Sequence, residues 1–313
     1  MTTTKSKRRK KSRLFLSFLD DQVSLLDKNR QLGTARNYKY TRNSFSEYLN
    51  GRKLYFKDFT ESLAVDYERW LKKRGLVRNA TSFYMRVLRA VYNKAVEARI
   101  VNQTFPFARV YTGVDSTRKR AVDEEVIAKL KALQLETGSS LFYVRDLFLF
   151  SFYSRGMTFI DMAYLKKHDV RNGIMQYVRH KTQQAINVRI EICMQEIMER
   201  YSNKTVRSAY VFPIVTTLND DRAYQQYRNA LSYYNKQLKK LSVLLGISIS
   251  LSSYVSRHTW ATVARDKNIP IAVISAGMGH TSQQTTQIYL ASLRESVVDE
   301  ANLMIISGIG VQH

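Results

Sequence analysis

Residues 254–290 of this chain read YVSRHTWATVARDKNIPIAVISAGMGHTSQQTTQIYL. The basic pair Arg257-His258 comes early in the stretch, Gly279-His280 follows, and Tyr289 stands nine residues after the second histidine. The residue pattern predicts three short helices along the stretch. Arginine, histidine and tyrosine therefore occur at fixed separations on a run of short helices, which makes this segment the first candidate for a functional site.

Upstream of this stretch, the sequence predicts a mixed α/β domain that spans residues 121–300. An apolar helix from about Ser140 to Tyr153 ends at Ser154-Arg155-Gly156, and Thr158 caps a short helix after it. Residues 173–192 have a two-residue rhythm, which predicts a hairpin that turns at residues 182–184 and carries Lys181 in its turn. The domain is expected to be mainly helical with a small β-sheet.

The preceding residues predict a separate helical module over residues 14–105. Apolar residues at three- to five-residue intervals indicate four amphipathic helices. Gly33-Thr34 is expected to separate the first helix from the second, and Asn79 to cap the fourth. Thr60 is expected to cap the third helix, with Gly75 just beyond its end.

Two further segments connect or follow these domains. Residues 106–120 contain Pro106 and Gly113, end in a basic cluster and lack an apolar period, as expected of a linker. Residues 301–313 are interpreted as a C-terminal tail. An apolar stripe precedes and enters this tail, and it predicts a helix that packs either on its own domain or on a neighbouring subunit: Leu293, Val297, Ala301 and Met304.

Positive charge is spread over the whole chain. The 313 residues include 50 Lys and Arg against 26 Asp and Glu, a formal net charge of +24. Residues 1–13 form a basic tail, expected to be disordered, but most of the excess lies beyond it. Such a distribution favours a nucleic-acid partner, because each neutralised phosphate releases counterions. A nuclear address, a ribosomal partner and mere solubility are the alternatives.

Several kinds of site are excluded. The single cysteine, Cys193, allows neither a disulfide framework nor a cysteine-based zinc site. The five histidines match no HExxH spacing, and no P-loop or GxGxxG motif occurs, so neither a metal nor a cofactor is expected. No apolar run approaches the length of a membrane span, so no membrane association is expected. Phosphoryl transfer by a side-chain nucleophile and fixed positive charge remains compatible with this composition.

Taken in order, the motifs closely resemble the tyrosine recombinase (phage integrase) family. That family's signature has HxxRH, then LGH, then a tyrosine nine residues later, and Arg257-His258, Gly279-His280 and Tyr289 match it. Arg155 with the Thr-capped helix after it resembles the first arginine motif, and Lys181 resembles the β-turn lysine. The phrase RGMTFIDMAYL is most similar to integrases and invertases of mobile elements. The resemblance covers roughly residues 14–300.

The resemblance implies a catalytic set whose residue types suit cleavage of a phosphodiester. Arg155 and Arg257 would hold the non-bridging oxygens of one phosphate with guanidinium groups that stay charged at any working pH. Tyr289 would attack phosphorus and give a covalent 3′-phosphotyrosine with a free 5′-hydroxyl. Lys181 would protonate the leaving 5′-oxygen. His280 would donate a hydrogen bond to the phosphate.

Tyr254 departs from the family pattern. The family usually has a histidine three residues before the second arginine, one helical turn away on the same face. Tyrosine is a poor base at neutral pH. Tyr254 is therefore expected to donate a hydrogen bond to the phosphate rather than to remove a proton.

The resemblance also implies an architecture and an activity. A helical core-binding (SAM-like) domain and a mixed α/β catalytic domain would form a C-shaped clamp around double-stranded DNA. A homo-tetramer on two DNA sites would perform integration, excision or inversion, with room for accessory DNA-bending proteins, in the bacterial cytoplasm at the nucleoid. Two alternatives stay open at this point: a type IB topoisomerase that relaxes DNA as a monomer, and a non-catalytic DNA-binding regulator of the same fold.

Overall fold

The computed structural model describes residues 13–115, 121–280, 282, 284, 286 and 287. The chain divides into two compact units, Met1–Thr117 and Arg118–His313. Each unit buries a hydrophobic core of its own. None of the helices in the described ranges combines the length and the apolar character that crossing a membrane requires.

Four helices form the first unit: α1 Phe15–Lys28, α2 Leu32–Leu49, α3 Glu61–Lys73 and α4 Arg78–Glu97. Each helix buries one face, because its apolar residues recur every three to four positions. Their shared core is rich in aromatic rings, and the Phe15 ring contacts those of Phe45, Phe56 and Phe59. The predicted helical module is confirmed.

The ends of these helices agree with the predicted signals in one case and differ in another. Thr60 caps α3 by accepting a hydrogen bond from the Leu63 amide, and Gly75 follows the helix with a φ of +80°, as predicted. The break predicted at Gly33-Thr34 is wrong, since both residues lie in the first turn of α2. The chain turns earlier, at Arg30, whose φ is +58°. A left-handed arginine closes α1 where glycine is the usual residue.

The capping role predicted for Asn79 is also wrong. Helix α4 begins at Arg78 with Val77 at its N-cap position. The Asn79 side chain instead pairs with the backbone of Asp115, donating to its carbonyl at 3.0 Å and accepting from its amide at 2.8 Å. Asparagine is suited both to capping a helix and to pairing its side-chain amide with a distant backbone segment. The sequence alone therefore does not distinguish these two roles.

The first part of the predicted linker packs against the helical module. Phe107 and Val110 are buried in the core of the first unit. The Ser82 hydroxyl donates a hydrogen bond to the Gly113 carbonyl at 2.5 Å. Residues 106–115 therefore lie on the first unit, and residues 116–120 fall outside the described residues.

The second unit is mixed, as predicted. Its described elements run in the order α5 Glu124–Ala132, α6 Ser140–Tyr153, α7 Phe159–Ala163, β1 Val170–Arg171, β2 Ile174–Val178, β3 Ala185–Arg189, α8 Ile192–Ser202, α9 Asp220–Leu244, α10 Val255–Asp266 and α11 Ile271–Met278. The strands form one antiparallel sheet in the order β1-β2-β3. Strands β2 and β3 are the predicted hairpin, in which Tyr177 lies opposite Ile186. Strand β1 is too short to give a periodic signal and was not predicted.

Helix α6 is the centre of the second unit. Every residue from Val144 to Ser151 is buried, and the helix packs against α5, α8, α9 and α10. Its one buried carboxylate, Asp146, accepts hydrogen bonds from Arg145, Arg200 and Tyr201 and is thereby compensated. A helix fixed on all sides gives a rigid base to whatever follows its C-terminus.

Candidate active site

The C-terminus of α6 positions Arg155. The Gly156 amide donates to the Ser151 carbonyl at 2.8 Å, which ends the helix in a tight left-handed turn. Arg155 occupies the left-handed position of this turn with a φ of +59°, where glycine is the usual residue. Its Nη1 donates to the carbonyl oxygen of Asn187 on β3 at 3.3 Å. The side chain therefore extends from the end of α6 across to the hairpin.

Arg257 lies in the first turn of α10 and is only 3% exposed. The hydroxyls of Ser151 and Ser256, 2.7 Å apart, fasten this turn to α6. The Arg257 Nη1 donates to the Gly156 carbonyl at 2.7 Å, and its Nη2 donates to the Met278 carbonyl at 2.6 Å. Both ends of the guanidinium are thus fixed by backbone oxygens, one of them in the residue that follows Arg155.

Gly156 is required where the two arginines meet. A Cβ added to it would lie 2.8 Å from the Cα and the Cγ of Arg257. Its φ of +74° also disfavours any residue with a side chain. The absence of a Cβ therefore lets α6 and α10 approach closely enough to bring Arg155 and Arg257 together.

His280 follows the C-terminus of α11. Gly279 ends that helix with a φ of +62°, and a Cβ there would lie 2.3 Å from the Ile186 Cδ1 on β3. The His280 Nε2 lies 3.1 Å from the Arg257 Nη2, and its Nδ1 lies 2.7 Å from the Thr286 hydroxyl. Because arginine can only donate, Nε2 accepts, and the ring proton of the neutral imidazole is on Nδ1.

The charge state of His280 follows from its surroundings. Partial burial and, to a smaller extent, the positive charges of Arg257, Arg179 and Lys181 together lower the pKa of His280 to about 4. The imidazole is therefore neutral at physiological pH.

Lys181 is exposed in the β2–β3 turn, where the sequence predicted it. The Arg179 amide donates to the Gln184 carbonyl, and the Gln183 amide donates to the Arg179 carbonyl, each at 2.9 Å. These two bonds close a tight turn around Lys181. The side chain at its tip is exposed, and in the part of the chain that the structure describes it is held through the backbone of the turn.

Two buried charged residues support this turn, and the sequence had not assigned either a role. Arg179 is 5% exposed, and its Nη1 donates to the carbonyls of Met278 at 3.2 Å and Gly279 at 2.7 Å. Asp161, on α7, accepts the His180 amide at 2.9 Å and the Thr158 hydroxyl at 2.6 Å. Despite burial, these hydrogen bonds and the charge of Arg179 lower the pKa of Asp161, so it is ionised. Only the spacing of Arg179 two residues before Lys181 could have pointed to it.

The charges of Arg155, Arg179 and Arg257 all act on the side chain of Tyr177. Burial raises the pKa of Tyr177 on β2, and the charge of Asp161 raises it as well. The charges of Arg257, Arg179 and Arg155 all oppose that increase. The hairpin, the end of α6 and the start of α10 therefore enclose one strongly positive region.

Of the two remaining predicted site residues, the structure describes Tyr254 but not Tyr289. Tyr254 occupies the N-cap position of α10 and is 45% exposed, with its ring centroid 6.2 Å from that of His258. Tyr289 lies outside the described residues, as do residues 1–12 and the predicted stripe from Leu293 to Met304. In the described ranges, no three side chains of the metal-ligating types come together.

The comparisons with known proteins agree with this fold. The model of the phage integrase SAM-like domain matches residues 14–110, and that of the phage integrase family matches residues 122–296. The second match covers more than half of the chain. The chain therefore belongs to the phage integrase family and is a tyrosine site-specific recombinase. No curated protein matches its sequence significantly.

Solved structures show the same fold at low sequence identity. A lambda integrase tetramer bound to a Holliday junction is 15% identical with a TM-score of 0.67, covering 89% of this chain and 78% of that one. The Tn1549 transposon integrase in complex with a circular intermediate DNA is 13% identical with a TM-score of 0.63, covering 93% and 99%. The XerH site-specific recombinase bound to a palindromic difH substrate, in a post-cleavage complex, is 14% identical with a TM-score of 0.61, covering 90% and 84%.

Gly156→Ala tests the close approach of α6 and α10. The substitution introduces a Cβ against Arg257, whereas Gly173→Ala introduces one in open space at a similar φ of +72°. Both variants lose about 1–2 kcal/mol from the left-handed backbone. Gly156→Ala is expected to lower the free energy of unfolding by about 1–3 kcal/mol more, the usual cost of overpacking. Urea denaturation of both variants measures the difference, and equal losses would contradict the contact.

The pKa of His280 gives a second test. A ¹H NMR titration of the imidazole C2 proton, assigned with His280→Gln, is expected to show a midpoint of about 4 rather than the ordinary 6.5. Because the unfolded chain binds this proton more readily, its contribution to stability is present above about pH 6.5 and is lost as the pH falls through 4. A midpoint at the ordinary value would contradict the described surroundings of the ring.

Proposed function

We propose that this recombinase cleaves and rejoins DNA at specific sites through a covalent 3′-phosphotyrosine on Tyr289. The observation that supports this most directly is the convergence of Arg155, Arg257, His280 and the Lys181 turn around the C-terminus of α11. Tyr289 follows His280 by nine residues, so the proposed nucleophile is close in sequence to this positive region.

The arginines would bind the scissile phosphate. Arg257 is held by two backbone carbonyls, and Arg155 is fixed by the turn that ends α6. Groups fixed in this way need little reorganisation when charge develops on the phosphate oxygens, which is the condition for electrostatic stabilisation of a transition state. Neutral His280 adds no charge of its own. It would donate to the phosphate from Nε2 if the proton moved there and the Thr286 hydroxyl donated to Nδ1.

Lys181 would supply the proton that the leaving 5′-oxygen needs. Its ammonium group is at an exposed turn tip, where it can reach a bound substrate, and its charge already acts on His280. Tyr254 is exposed one helical turn before Arg257 and would donate its hydroxyl hydrogen bond to the phosphate. Attack by the Tyr289 oxygen breaks the bond from phosphorus to the 5′-oxygen, so the energy of the bond is stored in the protein–DNA link.

Double-stranded DNA is the proposed partner. The net charge of +24 is spread over both units, as binding along a duplex requires. Structures of similar fold were solved with a Holliday junction and with a circular intermediate DNA, one of them as a tetramer. We infer a tetramer on two sites that performs integration, excision or inversion at the bacterial nucleoid. Residues 14–105 would form the core-binding domain and residues 121–300 the catalytic domain.

Tyr289→Phe tests covalent catalysis. The substitution removes one hydroxyl and no charge, so DNA affinity is expected to remain within about twofold. On a nicked suicide substrate, the variant is expected to give no protein–DNA adduct on a denaturing gel. Tyr233→Phe, at an exposed tyrosine of α9, serves as the matched control and is expected to form the adduct normally. A Tyr289→Phe protein that still becomes linked to DNA would show that another residue is the nucleophile.

Lys181→Ala tests general acid catalysis. Its cleavage of an ordinary strand is expected to fall by about 10²- to 10⁴-fold. A bridging 5′-sulfur leaves without a proton, so the variant is expected to regain most of its rate on a 5′-phosphorothiolate strand. Arg155→Ala and Arg257→Ala are expected to stay slow on both strands, because phosphate binding does not depend on the leaving group. Equal rescue of all three variants, or rescue of none, would remove this role from Lys181.

A further inference from the structure

Arg179 is a buried cation between two parts of the proposed active site. It lies two residues before Lys181, at the end of β2 and just outside the strand. Its Nη1 reaches across to α11 and donates to the carbonyls of Met278 and Gly279, the two residues before His280. Its Nε lies 3.7 Å from the buried carboxylate of Asp161. One side chain therefore lies close both to the end of α11 and to Asp161 on the short helix α7.

Simple packing does not account for a charge at this position. Burying a guanidinium is costly unless it is paired and fully hydrogen-bonded. The Arg179 Nε is buried and has no hydrogen-bond partner among the described residues, and its distance to Asp161 is that of an ion pair rather than of a hydrogen bond. Ile186, on the neighbouring strand, already provides apolar contact with the Gly279 turn. A second apolar residue would join the hairpin to α11 at a lower cost.

Beyond the strands, the described contacts of the hairpin turn are few. The His180 ring lies 4.7 Å from that of Tyr164, and its Nδ1 lies 3.5 Å from Asp161, so these contacts hold the turn near α7, whereas Arg179 joins it to α11. A two-stranded ribbon is marginally stable by itself, and β1 adds only two residues at the opposite end. The turn is closed by backbone bonds between Arg179 and residues 183–184, so it moves with Arg179 as one unit. The two bonds from Arg179 to α11, with the bond from the His180 amide to Asp161, therefore set where Lys181 is placed.

The Met278 carbonyl connects this turn directly to the phosphate-binding arginine. The same oxygen accepts Nη1 of Arg179 at 3.2 Å and Nη2 of Arg257 at 2.6 Å. A shift of the hairpin relative to α11 would break the first bond and leave the second intact. The Met278 carbonyl oxygen thus links Arg179 directly to Arg257, while the Gly279 carbonyl and Asp161 hold the same turn at two further points.

We propose that Arg179 is a positioning residue for strand cleavage, which holds the Lys181 turn against the C-terminus of α11 so that the lysine reaches the leaving 5′-oxygen. The inference rests on the proposed role of Lys181 as general acid. Arg179 would affect the delivery of the proton to the leaving oxygen and would not affect phosphate binding. Loss of Arg179 would therefore resemble loss of Lys181 and differ from loss of Arg155.

The leaving-group comparison tests this inference in the full-length protein. Single-turnover cleavage is measured at saturating protein on suicide substrates that carry a 5′-bridging oxygen or a 5′-bridging sulfur. Arg179→Met keeps an unbranched side chain without donors, and is expected to be at least tenfold slower on oxygen but within about threefold of the wild type on sulfur. Arg189→Met is the matched control, since Arg189 lies on β3 of the same hairpin but is exposed and paired with Glu191. It is expected to behave like the wild type on both strands.

Folding is checked by thermal unfolding and by single-site DNA binding. If Arg179→Met does not fold, Arg179→Lys replaces it. That variant retains the charge but cannot make the same set of bonds, and it is expected to show the same rescue by sulfur.

Two results would overturn the inference in distinguishable ways. If Lys181→Ala is rescued by sulfur while the folded Arg179 variant is equally slow on both strands, or not slow at all, Arg179 does not act through Lys181. If Lys181→Ala itself is not rescued, the general acid assignment fails and the inference fails with it.

Discussion

The rest of the site depends on the hydrogen bonds that buried arginines donate to the carbonyl groups at the C-terminus of α11. The last carbonyls of any helix have no partner within it, and they form the negative end of the helix dipole. In this protein the Met278 carbonyl accepts two guanidinium groups, from Arg179 and Arg257, and the Gly279 carbonyl accepts one of them again. These carbonyls would otherwise need water as hydrogen-bond donor. They instead bind the hairpin through Arg179 and α10 through Arg257, and His280 is the next residue along the chain.

This arrangement concentrates positive charge before any substrate contributes negative charge. Arg257 and Arg179 are both buried, and in the described part of the site Asp161 is the carboxylate that opposes them. The excess of positive charge helps to keep His280 neutral, because burial and these cations lower its pKa to about 4. A phosphate would supply the missing negative charge, so substrate binding and relief of this repulsion would favour each other.

Much of the fold and part of the site could be predicted from the sequence. Periodicity placed α6 correctly because its apolar run is long, and the alternation of residues 173–192 identified the hairpin with Lys181 in its turn. Arg179 was not distinguished, because burial of one arginine among many depends on contacts with residues 99 and 100 positions away in the sequence. The cap predicted at Asn79 and the break predicted at Gly33-Thr34, which occurs at Arg30 instead, were wrong for a related reason. Asparagine serves both as a helix cap and in long-range hydrogen bonds, and the tertiary contact with Asp115 decides which role Asn79 has. Arg30 adopts a left-handed conformation that glycine usually provides, so its residue type does not indicate the turn.

The backbone conformation of Arg155 has a consequence for how this protein tolerates mutation. Its left-handed φ of +59° is one that glycine adopts without strain and arginine only at a cost of roughly 1–2 kcal/mol. Replacement by glycine would relieve that strain and remove a cation from the positive region in the same step. Stability and the proposed role of Arg155 in phosphate binding therefore make opposite demands on this one residue. A search for variants that merely resist heat would tend to select against the arginine, which makes Arg155 a position to hold fixed when the enzyme is engineered.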